Sequence, residues 1–414
     1  MKTKIFFILI CNLLICNLLI SQNITNTLGT LGVFKIKDGS TDYLTLDQST
    51  GQVNILKTLR LENTTSATTG VIFKGGNRFI HDYGASNTFM GINSGNFTMS
   101  GHSNIAVGIR SLFSNTTGTY NTAFGLQSLY SNTSGYNNIA VGYYSLSGNT
   151  TGNSNTAVGQ FSLTANTTGI ENTAVGSLSL YTNTSGYDNT AVGYSSLISN
   201  TTGHSNSALG YYSLYSNTTG YRNTVLGYLS GYWITTGFNN IAIGYSAQVP
   251  SGTSNNQVRI GDGSITYAGI QVGWTITSDR RWKSNISNSN LGLNFINKLR
   301  PVSYFRTNDE NKKTEYGFIA QEVEEILKES GVDNSGMLTI TDDGMYELRY
   351  NDLLAPMVKA IQELKEENDR LKTEIETLKT DSKKTAELET MFLQLKEKIE
   401  QLETETQNVK VSNK

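Results

Sequence analysis

A short apolar triplet, most often Thr-Ala-Val or Ile-Ala-Val, recurs along the middle of this 414-residue chain at one fixed interval. A glycine closes each copy: Gly91, Gly108, Gly125, Gly142, Gly159, Gly176, Gly193, Gly210, Gly227, Gly244 and Gly261, each step 17 residues with no insertion. Asn stands four residues before that glycine in ten copies, from Asn87 to Asn240, and Gln257 replaces it in the last. A second glycine keeps the same spacing from Gly101 to Gly237, and Leu112, Leu129, Leu146, Leu163, Leu180, Leu197 and Leu214 complete the unit. A short apolar strand, a Ser-Leu step and a polar Asn-Thr-Thr-Gly turn carry no 3.6-residue period, so helix is excluded and a β-solenoid with one turn per repeat is predicted. Strands stacked about 4.8 Å apart would make ten turns a rod of roughly 50 Å. Equivalent Ala, Val and Leu positions predict apolar ladders inside, the asparagines predict side-chain hydrogen-bond ladders, and the glycines permit tight corners. The length of the unit suggests two strands per turn with a longer loop. Such a turn has a thin core, which predicts that sister chains share its burial.

The pattern differs on both sides of the repeat. Residues 22–86 hold strand-like pieces at Leu31–Ile36 and Gly70–Phe73, suited to covering the first turn. Beyond the repeat, Leu291, Phe295, Ile296 and Leu299 form one helix face stopped at Pro301. Strands are expected at Val302–Phe305 and Glu315–Ile319, a helix at Gln321–Leu327, and a hairpin from Met337–Ile340 and Met345–Arg349 about Asp342-Asp343-Gly344. From Leu354 a heptad seam runs through Met357, Ile361, Leu364, Asn368, Leu371, Ile375 and Leu378, and resumes at Leu388, Phe392, Leu395, Ile399, Leu402 and Val409. This predicts a coiled coil. The interruption at 381–385 leaves open a reversal of the chain.

Charge sharpens this division. Only Arg110, Glu171, Asp188, Arg222 and Arg259 are charged between Asn87 and Gly261, whereas Lys, Arg, Asp and Glu crowd the chain from Ser278 onward. The formal net charge of −2 gives no field for a polyanion, so nucleic acid is not an expected partner. At the start, Lys2 and Lys4 precede the apolar run Ile5–Ile20 and a polar break at Ser21, the pattern of a cleaved export signal over 1–21. Cys11 and Cys16, the only cysteines, lie within it, so no thiol chemistry or zinc–thiolate site is expected after cleavage. No cofactor or metal is called for.

Two resemblances rest on these motifs. The Asn-x-Ala-x-Gly repeat resembles the head repeats of YadA-like trimeric autotransporter adhesins, which implies a trimeric β-roll, though the period here is longer. The segment Thr277-Ser278-Asp279-Arg280-Arg281-Trp282-Lys283, then Leu299-Arg300-Pro301-Val302-Ser303-Tyr304, then Tyr316-Gly317-Phe318-Ile319-Ala320-Gln321-Glu322-Val323, resembles the C-terminal intramolecular chaperone of endosialidase-type tail spikes, peptidase S74, whose relatives include the self-cleaving region of the myelin regulatory factor. That resemblance implies a trimerising domain that cuts just before its serine, here Thr277–Ser278, with Ser278 as nucleophile and Lys283 as its partner. Asp279 and Arg280 would fix the turn or balance its charge. A Ser-Lys dyad is also what the composition allows, because all three histidines (His81, His102, His204) lie far upstream. Burial favours the neutral amine such a base requires.

The expected architecture is therefore mainly β: a signal over 1–21, a β region over 22–86, a trimeric β-roll or β-solenoid fibre over 87–264, a connector over 265–277, a small α+β chaperone domain over 278–353 and a coiled coil over 354–409. The heptad core alone, with Ile and one Asn at a positions, favours a dimer, but the two resemblances and the need for one shared symmetry favour a homotrimer. The expected function is a secreted or cell-surface adhesin-like fibre that autocleaves, binding a surface glycan or protein. The alternatives are an uncleaved surface binding protein and a carbohydrate-active enzyme built on Glu171 and Asp188, one repeat apart. The Asn-Thr-Thr and Asn-Thr-Ser triplets match glycosylation acceptors in form but read more simply as duplicated turns.

Overall fold

The computed structural model describes residues 33–38, 41–47, 52–55 and 61–412. The chain falls into two compact units, Met1–Val71 and Ile72–Lys414. In the first, β1 (Val33–Asp38), β2 (Thr41–Asp47) and β3 (Gln52–Ile55) form an antiparallel sheet in chain order. The predicted export signal lies outside the described residues.

The second unit is organised by a sheet of thirteen strands. It begins with an antiparallel hairpin, β4 (Ile72–Lys74) and β5 (Asn77–His81), laid against β6 (Thr88–Met90). From β6 to β16 (Val258–Ile260) each repeat supplies a three-residue strand, paired in parallel with equivalent residues opposite, as in Thr156↔Thr173, Ala157↔Ala174 and Val158↔Val175. Each turn thus holds one strand, where a pair was expected. The rest of the turn bends too sharply for a second strand, because three non-glycine residues per coil (Ser154, Phe161 and Leu163 in one of them) take φ of 57°, 58° and 50°. Each such left-handed residue carries a conformational cost. Backbone bonds between coils compensate all the way round: Leu163 N donates to Ser179 O at 3.0 Å, Ala165 N to Tyr181 O at 3.0 Å, and Thr167 N to Thr184 O at 2.9 Å.

The solenoid core is closed within one chain, which corrects the expectation that sister chains must share it. In coil after coil the middle strand residue (Ala157, Ala174) and the leucine (Leu163, Leu180) are fully buried. Two columns of buried asparagine flank them. In the predicted column, Asn155 donates to Gly169 O at 2.9 Å and to Asn138 Oδ1 at 3.1 Å, and its own Oδ1 accepts from Asn172 N at 3.1 Å. The second column comes from the Asn-Thr-Thr-Gly turns: Asn166 donates to Asn149 Oδ1 at 2.8 Å and to Gly169 O at 3.0 Å. Asn115, Asn132, Asn149, Asn166, Asn183, Asn200 and Asn217 are all fully buried, which makes these triplets structural rather than sites for a glycan. The repeat glycine is required twice over. Gly159 has φ +134°, and a Cβ there would lie 2.5 Å from the carbonyl oxygen of Gly176.

The first coil and the third coil from the C-terminal end depart from the repeat in the same way. A larger residue replaces the strand alanine (Phe89, Val225), and glycine replaces the leucine (Gly95, Gly231), so volume moves across the core. Ile234 takes the place of the next asparagine, and Asn217 Oδ1, at the end of its ladder, has no donor. At the N-terminal end buried His81 sits 4.8 Å from the rings of both Phe89 and Phe97, with its Nε2 2.9 Å from Ser94 O.

After the solenoid come α1 (Leu293–Lys298), the antiparallel pair β17 (Val302–Tyr304) and β18 (Glu315–Gly317), α2 (Ala320–Glu329), the antiparallel pair β19 (Leu338–Ile340) and β20 (Tyr346–Leu348), and α3 (Leu354–Ser412). Leu291, Phe295, Val323, Leu327, Met337 and Leu353 form their shared core. The start of α3 anchors α1, since Glu363 Oε2 accepts from Leu293 N at 2.6 Å. α3 runs through 381–385 without interruption, so the chain does not reverse there. No described helix is long and apolar enough to cross a membrane.

Candidate functional site

The connector reaches the site without regular secondary structure. A single 3-10 turn, Arg280–Trp282, follows, and Asp279 starts it by accepting from Arg281 N at 2.8 Å. Trp282 N and Lys283 N close the turn on the carbonyls of Asp279 and Arg280, both at 3.1 Å. The turn folds the chain back so that Lys283 Nζ lies over the preceding serine and donates to Ser278 Oγ at 2.6 Å. The two residues named from the motif are therefore in direct contact, five positions apart.

The supporting residues divide. Asp279 caps the turn and also holds Arg281, whose Nη2 and Nε donate to its two carboxylate oxygens at 2.8 and 3.0 Å. That guanidinium holds the Asp279 carboxyl below its ordinary range. Arg280 contributes its carbonyl to the turn, and Arg281 makes the ion pair, a choice between two adjacent arginines that spacing alone does not reveal. Ser278, Lys283 and Thr277 are all exposed in the single chain. Beside them Ile270, Val272, Trp274 and Ile276 alternate with polar residues and are 55 to 82% exposed.

Two other candidates resolve differently. Glu322 pairs with Arg300, with Arg300 Nε 3.0 Å from Glu322 Oε2, and the pair lowers the carboxyl below its usual range. The ion pair joins the Leu-Arg-Pro motif to the Ala-Gln-Glu motif, which gives both stretches a structural task within the small domain. Glu171 and Asp188 do meet, on successive coils, and their interaction raises the Glu171 carboxyl above its ordinary value. Both stand on an exposed turn.

Tyrosine ladders run along the rod. Tyr187, His204, Tyr221 and Phe238 stack with centroids 4.5, 4.8 and 4.6 Å apart and planes within 12°. The stacking occupies both faces of Tyr221, which argues against the flat stacking of a sugar on that ring.

Residues 278–332 match the family model Peptidase_S74, described as the chaperone of endosialidase. The match begins at the serine that Lys283 contacts. No curated protein and no solved structure matches the chain.

Proposed function

We propose that this chain is a secreted or surface-displayed homotrimeric fibre whose C-terminal domain aligns three copies and then cuts the Thr277–Ser278 bond. The contact that carries the reading is Lys283 Nζ to Ser278 Oγ, at the first residue of the matched family segment. In the reaction, neutral Lys283 accepts the hydroxyl proton while Ser278 Oγ attacks the carbonyl carbon of Thr277. The Thr277–Ser278 C–N bond breaks, the proton passes to the departing Ser278 nitrogen, and the Thr277 acyl group rests on Oγ as an ester. Water then hydrolyses that ester, leaving a carboxylate on Thr277 and a free amine on Ser278.

Assembly supplies what the single chain lacks. A lysine acts as base only when neutral, and burial favours that form, yet Lys283 is exposed and apolar Ile270, Val272, Trp274 and Ile276 stand uncovered beside it. Cover from sister copies would bury both, so the cut follows alignment. Two more features support self-association. The α3 seam is uncovered, with Ile361 64% and Phe392 70% exposed. The outer strand position of the solenoid is apolar in every coil, from Met90, Val107 and Phe124 to Ile243 and Ile260. Solenoid and helix belong to one chain and must obey one symmetry.

The reading is tested on denaturing gels. Wild type yields a fragment from Ser278 to Lys414, and Ser278→Ala and Lys283→Ala do not; equal full-length bands in all three remove the cut. The same exposure of the dyad favours one other reading, a permanent fibre in which this domain only trimerises, and that is the result such equal bands would leave standing.

A further inference from the structure

The inner strand column of the solenoid is small and apolar for nearly its whole length, and then ends in a charge. Ala140, Ala157, Ala174, Ala191, Ala208, Val225 and Ala242 occupy it in order, and the partner of Ala242 in β16 is Arg259. No further coil can stack on that position without burying a guanidinium. Arg259 is only partly exposed and is satisfied on two sides: its Nε donates to Gln248 O at 3.0 Å, and its Nη2 pairs with the carboxylate of Glu347 in β20. The tip of the same hairpin is bonded to the same coil. Asp342 N donates to Pro250 O at 2.8 Å, and Asp342 Oδ2 accepts from Gly252 N at 2.9 Å.

These contacts span about ninety residues and use both backbone and side chain, so they fix position and orientation together. They also fall where a solenoid is weakest, since a terminal turn exposes one unpaired ladder of backbone groups. We infer that the β19–β20 hairpin is the C-terminal cap of the solenoid, an interaction surface built to receive the final coil through Asp342 and Glu347. The N-terminal end is capped by a hairpin of its own, β4–β5, which is covalently continuous with the sheet. The C-terminal cap instead comes from beyond the Thr277–Ser278 bond. It orders the last coil before any cut, and after one it holds the two pieces by these contacts alone. Where the cap departs, Arg259 faces solvent as a like charge on every rod end, which opposes end-to-end stacking of rods.

The test uses the full chain carrying Ser278→Ala, so that the outcome does not depend on self-cleavage. Hydrogen exchange is followed by mass spectrometry for the final coil, 245–261, and for a central segment, 155–192. Glu347→Arg and Asp342→Ala are expected to speed exchange in the final coil by roughly tenfold, the loss of one charge-assisted hydrogen bond, with the central coils unchanged. The charge swap Arg259→Glu with Glu347→Arg is expected to restore part of the protection, because it regains the ion pair but not the bond to Gln248 O. Unchanged exchange in both single variants would overturn the cap. So would loosening spread over the whole rod, or a swap that repairs nothing.

Discussion

The solenoid and the long C-terminal helix solve opposite problems. The solenoid is nearly free of charge and closes its core inside one chain, with Ala and Leu columns and two asparagine ladders fully buried. The helix α3 is dense in charge and leaves its apolar seam in water along 354–402. A parallel coil stacked on its neighbour can satisfy every group it buries, because the next coil presents the same residue in register. A lone helix cannot, because its ridge of Leu and Ile has no partner within the chain. The uncovered apolar seam therefore lies at the C-terminal end, and the core of each coil closes within one chain.

The comparison is broken hardest from inside the rod. Gly159→Ala sets a Cβ 2.5 Å from a backbone oxygen at φ +134°, and should cost at least about 3 kcal/mol. Asn155→Ala strands the amide of Asn172 and removes one of the two donors to Gly169 O, and should cost on the order of 2 kcal/mol. Both losses should appear as a lower midpoint of thermal unfolding when variant and wild type are compared at one protein concentration. If either variant melts like wild type, the closed single-chain core is wrong.

Lysines in the seam should act the other way. Leu371→Lys with Ile375→Lys is expected to reduce the mass seen by sedimentation equilibrium to that of one chain while the β signal of the rod persists. Loss of the rod along with the oligomer would mean that the solenoid does lean on its sisters.

The smallest effect concerns Glu171. Its carboxyl is raised in the folded chain by Asp188, so the native state binds the proton more readily than the unfolded one. Stability should then rise as pH falls through the folded value, and gain nothing further below the ordinary value of 4.5. Glu171→Gln should remove that increment and raise the melting temperature slightly near neutral pH. A pH profile that is the same in both proteins would show that the two carboxylates do not interact.

Much of this was legible in the residues. The period, the Ala and Leu columns and the ladder from Asn87 to Asn240 follow from seventeen-residue spacing, and both C-terminal hairpins follow from their turn residues. The single strand per coil did not, because a left-handed leucine such as Leu163 looks from its side chain like a strand residue. The second asparagine ladder was hidden for a related reason: Asn-Thr-Thr is the same string whether its Asn faces a glycosylation enzyme or the core. At the site, Ser278 and Lys283 were found from the resemblance of their motif, whereas the selection of Arg281 over Arg280 depends on the pitch of a 3-10 turn. The Arg259–Glu347 contact joins residues 88 apart, and no local pattern announces it.

The most direct test of the central claim is the mass of the expressed chain, measured once native and once denatured, for wild type and for Lys283→Ala. The account predicts a native trimer in both. Denatured wild type should show a piece beginning at Ser278, absent from the variant. A wild-type chain that is intact when denatured and single when native would contradict it.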